Sequence, residues 1–239
     1  MRGLSTVLYG TSGSGKTYQA LKFPREEVLI ISFARDDSTL HGSGVHRTII
    51  DSESLMSVDG KLSKFESLYH KLRTEKHQFK LVFLDDFCLF SNYVMEMLRV
   101  VRELGFPRRN EKENAVHESV RWIKNFVDLT EKGIDVVFTT WDMTFNTEDG
   151  LTSAPMQINW EVTNYLCGLC NNVWEIFRDD DFNSEQRFIR TKGSKLLKGK
   201  TKLPPDVKLP FDGIMADPNL CEMLKKLKVA IGLKEGENE

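Results

Sequence analysis

The chain has 239 residues, 40% hydrophobic and 28% charged, close to ordinary globular averages, which excludes whole-chain disorder, a collagen-like repeat and a coiled coil. A formal charge of −2 excludes the wholesale basicity of a histone-like protein, though not a local basic patch. Four cysteines (Cys88, Cys167, Cys170, Cys221) are too few and too unevenly spaced to staple a chain of this length, so a reducing compartment is expected. The N-terminus lacks a signal-peptide pattern, and no apolar run approaches the ~20 residues of a spanning helix. A cytoplasmic protein with no membrane partner is therefore predicted.

In chain order, Ser5 to Tyr9 is a short apolar run, and Lys16 to Phe23 reads as a helix opening after a glycine-rich loop. Val28 to Ser32 is a second apolar run and Arg47 to Ile50 a shorter third. Leu62, Phe65, Leu68, Tyr69 and Leu72 recur at helical spacing. Leu81 to Leu84 is a further strand, closed by Asp85-Asp86. Tyr93, Met97, Val100, Val101 and Leu104 mark one helix, Val116, Val120, Ile123 and Val127 another, and Ile134 to Thr140 is again a buried strand. Asp142 to Pro155 has turn composition. Asn172 to Phe177 and Arg187 to Arg190 read as a hairpin joined through an acidic turn, and Leu220, Met223, Leu224 and Leu227 mark a last helix. Strands alternating with helices predict an α/β fold with a mostly parallel sheet, in one domain over residues 1–232 followed by a polar tail, 233–239.

Gly10-Thr11-Ser12-Gly13-Ser14-Gly15-Lys16-Thr17 matches the phosphate-binding loop G-x-x-x-x-G-K-[ST] in full, and it lies between a strand and a helix, as that motif requires. Its glycines permit a backbone whose N–H groups face a phosphate, supported by a helix N-terminus. Lys16 would reach the β- and γ-phosphates of ATP, and the Thr17 hydroxyl would bind Mg2+. The strand Leu81 to Leu84 delivers Asp85 as the Mg2+ partner, with Asp86 nearer the attacking water or an adjacent subunit; helix capping is the alternative for both aspartates. The strand ending at Thr140 points to Thr140 as a γ-phosphate sensor, with Asp142 second. Arg187 to Lys208 holds eight Lys or Arg against one acid, Asp206, a charge that suits a polyanion or a neighbour's triphosphate and otherwise marks a solvated face. Cys167-x-x-Cys170 lacks a partner pair, so two semi-buried cysteines on one helix are expected rather than a zinc site. His41 and His46 read as surface residues.

The order of these parts, from the loop near the N-terminus through LVFLDD and DVVFTT to the hairpin and KLLKGKTKLP, resembles the compact RecA-like ATPases of phages, the Sak-group single-strand-annealing recombinases. The resemblance implies a RecA-like core that forms a homo-oligomer, ring or filament, on single-stranded DNA and promotes recombination in the host cytoplasm. A single-strand DNA-binding protein is an expected partner. The family's lysines that reach into a neighbour's ATP resemble Lys198 and Lys200, and its DNA-facing loops correspond to about Phe106–Glu118 and Asp142–Val162, with Trp160 or Phe145 offering a stacking surface. One departure stands out: the family places a catalytic glutamate after the second strand, where this chain has Ser32-Phe33-Ala34-Arg35-Asp36-Asp37. Either Asp36 or Asp37 substitutes, or turnover is slow and nucleotide mainly controls assembly.

Three functions compete on these grounds. A DNA-stimulated ATPase predicts an oligomer with basic loops. A nucleotide-gated replication accessory or helicase-loader-like module predicts little turnover. A small-molecule kinase requires an arginine-bearing lid, for which Arg108 and Arg109 are the candidates.

Overall fold

The strands are apolar on both faces, so each must be covered twice, and the chain covers them with helices. The computed structural model describes residues 2–33, 38–56, 62–103, 111–147, 150–178, 186–193 and 199–233, with backbone only at 38, 101–103, 111, 145–147 and 150–152. Strands β1 (Ser5–Tyr9), β2 (Val28–Ser32), β4 (Leu81–Asp85) and β5 (Asp135–Thr140) are buried along their whole length. The remaining strands are β3 (His46–Ile49), β6 (Asp142–Thr147), β7 (Gly150–Pro155), β8 (Asn172–Arg178), β9 (Arg187–Arg190), β10 (Lys200–Thr201) and β11 (Ile214–Ala216).

Among the described residues nine strands form one sheet in the order β11, β9, β8, β1, β5, β4, β2, β3, with β10 alongside β8. From β8 to β3 every neighbouring pair is parallel, whereas β9, β10 and β11 join antiparallel. This is the RecA-like P-loop arrangement that the sequence predicted. Strand β5 lies between the loop strand β1 and the aspartate strand β4, and β8–β9 is the expected hairpin.

Successive side chains of a strand face opposite sides, so β1 splits its residues between two cores. Val7 and Tyr9 join α1 (Lys64–Thr74), α2 (Phe90–Glu103), α3 (Glu111–Asp128) and α4 (Trp160–Leu169) on one face. Leu8 joins Leu220, Met223, Leu224 and Leu227 of α5 (Leu220–Ala230) on the other. Helix α1 begins at a capping box, in which the Ser63 hydroxyl accepts from the Glu66 N–H and the Glu66 carboxylate accepts from the Ser63 N–H. Helix α5 is held at both ends. Its Leu220 N–H donates to the Gln19 side chain, and Lys228 donates to Asp135, whose other oxygen accepts the Leu4 N–H.

Three local expectations differ from the structure. The segment after the phosphate loop is a six-residue 3-10 helix, Thr17–Lys22, because Phe23 precedes Pro24 and takes the extended backbone that proline imposes on its predecessor. Its shortness removes most of the dipole support expected from a long helix. Asp142 to Pro155 is not a turn but the antiparallel hairpin β6–β7, registered from Asp142–Pro155 to Thr147–Gly150. Its Thr- and Asn-rich composition hid a ladder whose stability comes from backbone pairing. Finally, of the DNA-facing segments, Glu111–Glu118 is the start of α3 and Trp160–Val162 the start of α4, and residues 104–110 lie outside the described residues. No helix among the described residues is long and apolar enough to cross a membrane.

Candidate functional site

The phosphate loop leaves the end of β1 and passes over the end of β8. A Cβ at Gly10 would stand 2.0 Å from the Ile176 carbonyl oxygen, so only glycine fits there. Gly15 has φ of +100°, a conformation that side chains resist. The loop folds around Lys16, which is buried, and its ammonium donates to the carbonyl oxygens of Gly10 at 2.8 Å and Thr11 at 2.9 Å. Burial lowers the Lys16 pKa from the ordinary lysine value, opposed by the carboxylates of Asp86 and Asp85. The Ser14 hydroxyl is buried without a hydrogen-bond partner among the described residues.

Below the loop, two hydroxyls grip one carboxylate. The Thr17 hydroxyl donates to Asp85 Oδ2 at 2.8 Å, and the Thr139 hydroxyl donates to Asp85 Oδ1. Thr139 Oγ1 in turn accepts the Asp86 N–H at 2.8 Å. Asp86 adopts φ 54° and ψ 50°, left-handed backbone on a residue with a side chain, of the kind that clusters at functional sites. This turn directs both aspartates into a cavity of about 320 Å3 lined by the loop, Tyr18, Thr39, Trp141, Arg178 and Arg187. Neither motif nor periodicity marks Thr139, Tyr18, Trp141 or Arg178 in the sequence, and Arg187 stands there only as one charge in a basic run. Thr139 faces Asp85 because β4 and β5 align Leu84 with Phe138, placing the next residues side by side. Composition carries no such register.

The other predicted residues fall as follows. Gly10, Thr11, Ser12, Gly13, Ser14, Gly15, Lys16 and Thr17 form the continuous loop, and Asp85 and Asp86 face it. Thr140 departs from its expected place. It is fully buried, its hydroxyl donates to the Trp141 and Met156 carbonyl oxygens, and it does not line the cavity; the threonine that reaches the aspartates is its neighbour Thr139. Lys200 lies in β10 opposite Val173, while the phosphate-loop end of β8 is Arg178, about 17 Å further along at the usual rise per residue. Its ammonium donates to the Gly168 carbonyl oxygen. Lys200 therefore stands at the end of the sheet remote from its own loop.

Lys198, Asp36, Asp37, Arg108 and Arg109 lie outside the described residues, as does the side chain of Phe145. Trp160 is 42% exposed at the start of α4. Cys167 and Cys170 are buried rather than half-buried, and burial pushes the Cys170 thiol up to about 12. Among the described residues no group of three or more His, Cys, Asp or Glu is placed to hold a metal. His41 and His46 are exposed.

A family model described as an AAA domain matches residues 2–203. The chain belongs to this AAA domain family. No curated protein matches it. Among solved structures, a KaiC-like protein from the hyperthermophilic archaeon Pyrococcus horikoshii OT3 is similar at 12% identity, with a TM-score of 0.49 over 91% of this chain and 90% of that one. The donor set of this AAA domain fits Mg2+ with a nucleotide. Thr17 and Asp85 offer oxygen alone, as a hard cation prefers, and too few ligands for a closed protein cage, so phosphate and water would complete the shell. Lys16, turned back onto loop carbonyls, is the cation that a phosphate would redirect.

Proposed function

We propose that this AAA domain binds Mg-ATP and hydrolyses it, and that it does so as a homo-oligomer on single-stranded DNA during strand annealing or recombination. The observation that carries the nucleotide reading is the continuous hydrogen-bonded chain from Thr17 through Asp85 to Thr139 and the Asp86 N–H, set beneath a complete phosphate loop. In this reading bound Mg2+ supplies a charge that neutralises the phosphate oxygens. The protein's own residues do the rest. Lys16 holds the β- and γ-phosphates, Thr17 and Asp85 orient the metal, and Thr139 fixes the rotation of Asp85. Asp86, held out by its left-handed backbone, orients the attacking water.

Assembly and DNA rest on other support. Arg187 to Lys208 carries a dense positive charge in a chain that is slightly acidic overall, as a polyanion partner requires. The hairpin β6–β7 rises directly from β5, next to Trp141 of the cavity, so a ligand on that hairpin has a short path to the nucleotide. Because Lys200 is remote from its own loop, any part it takes in hydrolysis has to be played in a neighbour's cavity. The second reading, a nucleotide-gated replication or loader module with slow turnover, is favoured by the missing glutamate after β2. A kinase fits less well, since β5 intervenes between the loop and aspartate strands.

Calorimetry with Mg-ATP tests the nucleotide reading. Wild type binds, and Lys16→Ala loses tight binding because the loop's one point charge is gone. Equal binding by both proteins overturns the assignment.

A further inference from the structure

The cavity has two walls that the phosphate-loop chemistry leaves unused. One is aromatic, formed by Tyr18 and Trp141; the other is cationic, formed by Arg178 and Arg187. These arginines face each other directly across the antiparallel pair of β8 and β9, at the end of the hairpin nearest the loop. Like charges in directly opposed cross-strand positions repel, so the arrangement is unfavourable until an anion lies between them. Arg190, on the same strand, shows how the fold treats an arginine that is only structural: it pairs with Glu175. Among the described residues neither Arg178 nor Arg187 has a carboxylate partner.

Arg187 is also the more closely placed of the two. Its Cδ and Nε come within 2.6 Å of where a Cβ on Gly15 would stand, so its stem rests on the glycine immediately before Lys16. Its guanidinium lies over the Tyr18 ring, 5.4 Å from the centroid. Among the described residues its Nε is buried with no hydrogen-bond partner, an orphaned donor of the kind that calls for a ligand.

We propose that Arg178 and Arg187 form a clamp for the nucleotide's phosphate chain, supplied by the same subunit that supplies the loop. The clamp deepens the nucleotide reading of this cavity and rests on it. Guanidinium is suited to the task because its planar fork binds phosphate oxygens in pairs, which an ammonium cannot do. With the clamp in cis, nucleotide affinity belongs to the single subunit. Charge from a neighbour then affects turnover rather than binding.

The test is calorimetric titration of the full chain with Mg-ATP, Mg-AMP and inorganic tripolyphosphate, below and above the concentration at which the protein assembles. Arg187→Ala should weaken ATP and tripolyphosphate roughly ten- to a hundredfold, the range of a lost hydrogen bond to a charged group, and AMP far less. Arg187→Lys keeps charge and stem but not the fork, so it should fall between. Arg178→Ala should act in the same direction, and every loss should be the same at both protein concentrations. Without nucleotide, Arg187→Ala should melt no lower than wild type, since it relieves the facing repulsion; a strictly structural arginine would give a lower melting temperature. If wild type binds ATP and Lys16→Ala does not, yet Arg187→Ala binds as wild type, the clamp is wrong and the site stands. A loss seen only in the assembled protein reassigns the arginines to a neighbour and overturns the cis clamp. If wild type binds no nucleotide, both the site and the clamp fail.

Discussion

Asp85 is where the site is most tightly specified, because both of its oxygens are committed to threonine hydroxyls. Replacing it with alanine should stop metal-dependent hydrolysis and spare much of the nucleotide affinity, since under the proposed function the carboxylate would organise Mg2+ rather than grip phosphate. Thr139→Val keeps the volume and removes the hydroxyl that sets the rotation of Asp85. Losses of roughly ten- to a hundredfold in turnover are usual when such a supporting partner is removed. Phosphate-release assays on the two variants check both expectations, and a Thr139→Val protein with wild-type turnover contradicts the role given to that hydroxyl. Lys16, Thr17 and Asp85 were legible in the sequence because contiguous motif spacing and a strand-end position define them. Thr139 was not, because choosing between two adjacent threonines needs the register of β4 on β5, which sequence periodicity leaves free by one residue.

Buried, uninterrupted runs such as Val28 to Ser32 and Leu81 to Leu84 announced the parallel strands correctly, and helical spacing announced the helices that cover them. Composition failed at Asp142 to Pro155, where polar residues form a hairpin whose ladder depends on backbone pairing. The last helix, α5, was legible as an amphipathic segment, but its anchorage was not: the Lys228–Asp135 ion pair joins residues 93 apart in sequence and is nearly buried on both sides. Removing one member of such a pair leaves a buried charge. Lys228→Ala should therefore cost about 3 kcal/mol of stability, measurable by denaturant unfolding at neutral pH. Burial raises the Asp135 pKa above the ordinary carboxylate range, and Lys228 opposes that rise. A carboxyl whose folded pKa is raised contributes stability below its unfolded value, near 4, and loses it as pH climbs through the folded value. The penalty of Lys228→Ala should thus shrink as pH is lowered toward 4, because the unpaired carboxyl becomes neutral. A pH-independent penalty contradicts the ion-pair account.

Across the whole molecule, charge is divided. A basic run of Arg187 to Lys208 sits in a chain of formal charge −2, so the rest of the chain is acidic. The run serves two ends of the sheet at once: Arg187 reaches the chain's own phosphate loop, while Lys200 lies at the opposite end. If oligomers stack such subunits end to end, Lys198 and Lys200 meet a neighbouring cavity, and the Lys198→Ala/Lys200→Ala protein should bind ATP normally but not hydrolyse it. Mixing it with Lys16→Ala subunits should restore activity at interfaces that pair a sound loop with sound lysines. DNA binding through the same charge should be sequence-tolerant and weaken steeply with salt, which titrations of labelled oligo-dT at two salt concentrations will read. The most direct test of the central claim is steady-state phosphate release from Mg-ATP with and without single-stranded DNA, followed over a wide range of protein concentrations alongside a measurement of oligomeric state. The account predicts hydrolysis that rises with assembly, rises further with DNA and vanishes in Asp85→Ala. Hydrolysis that is absent in wild type, or that persists unchanged in Asp85→Ala, contradicts it.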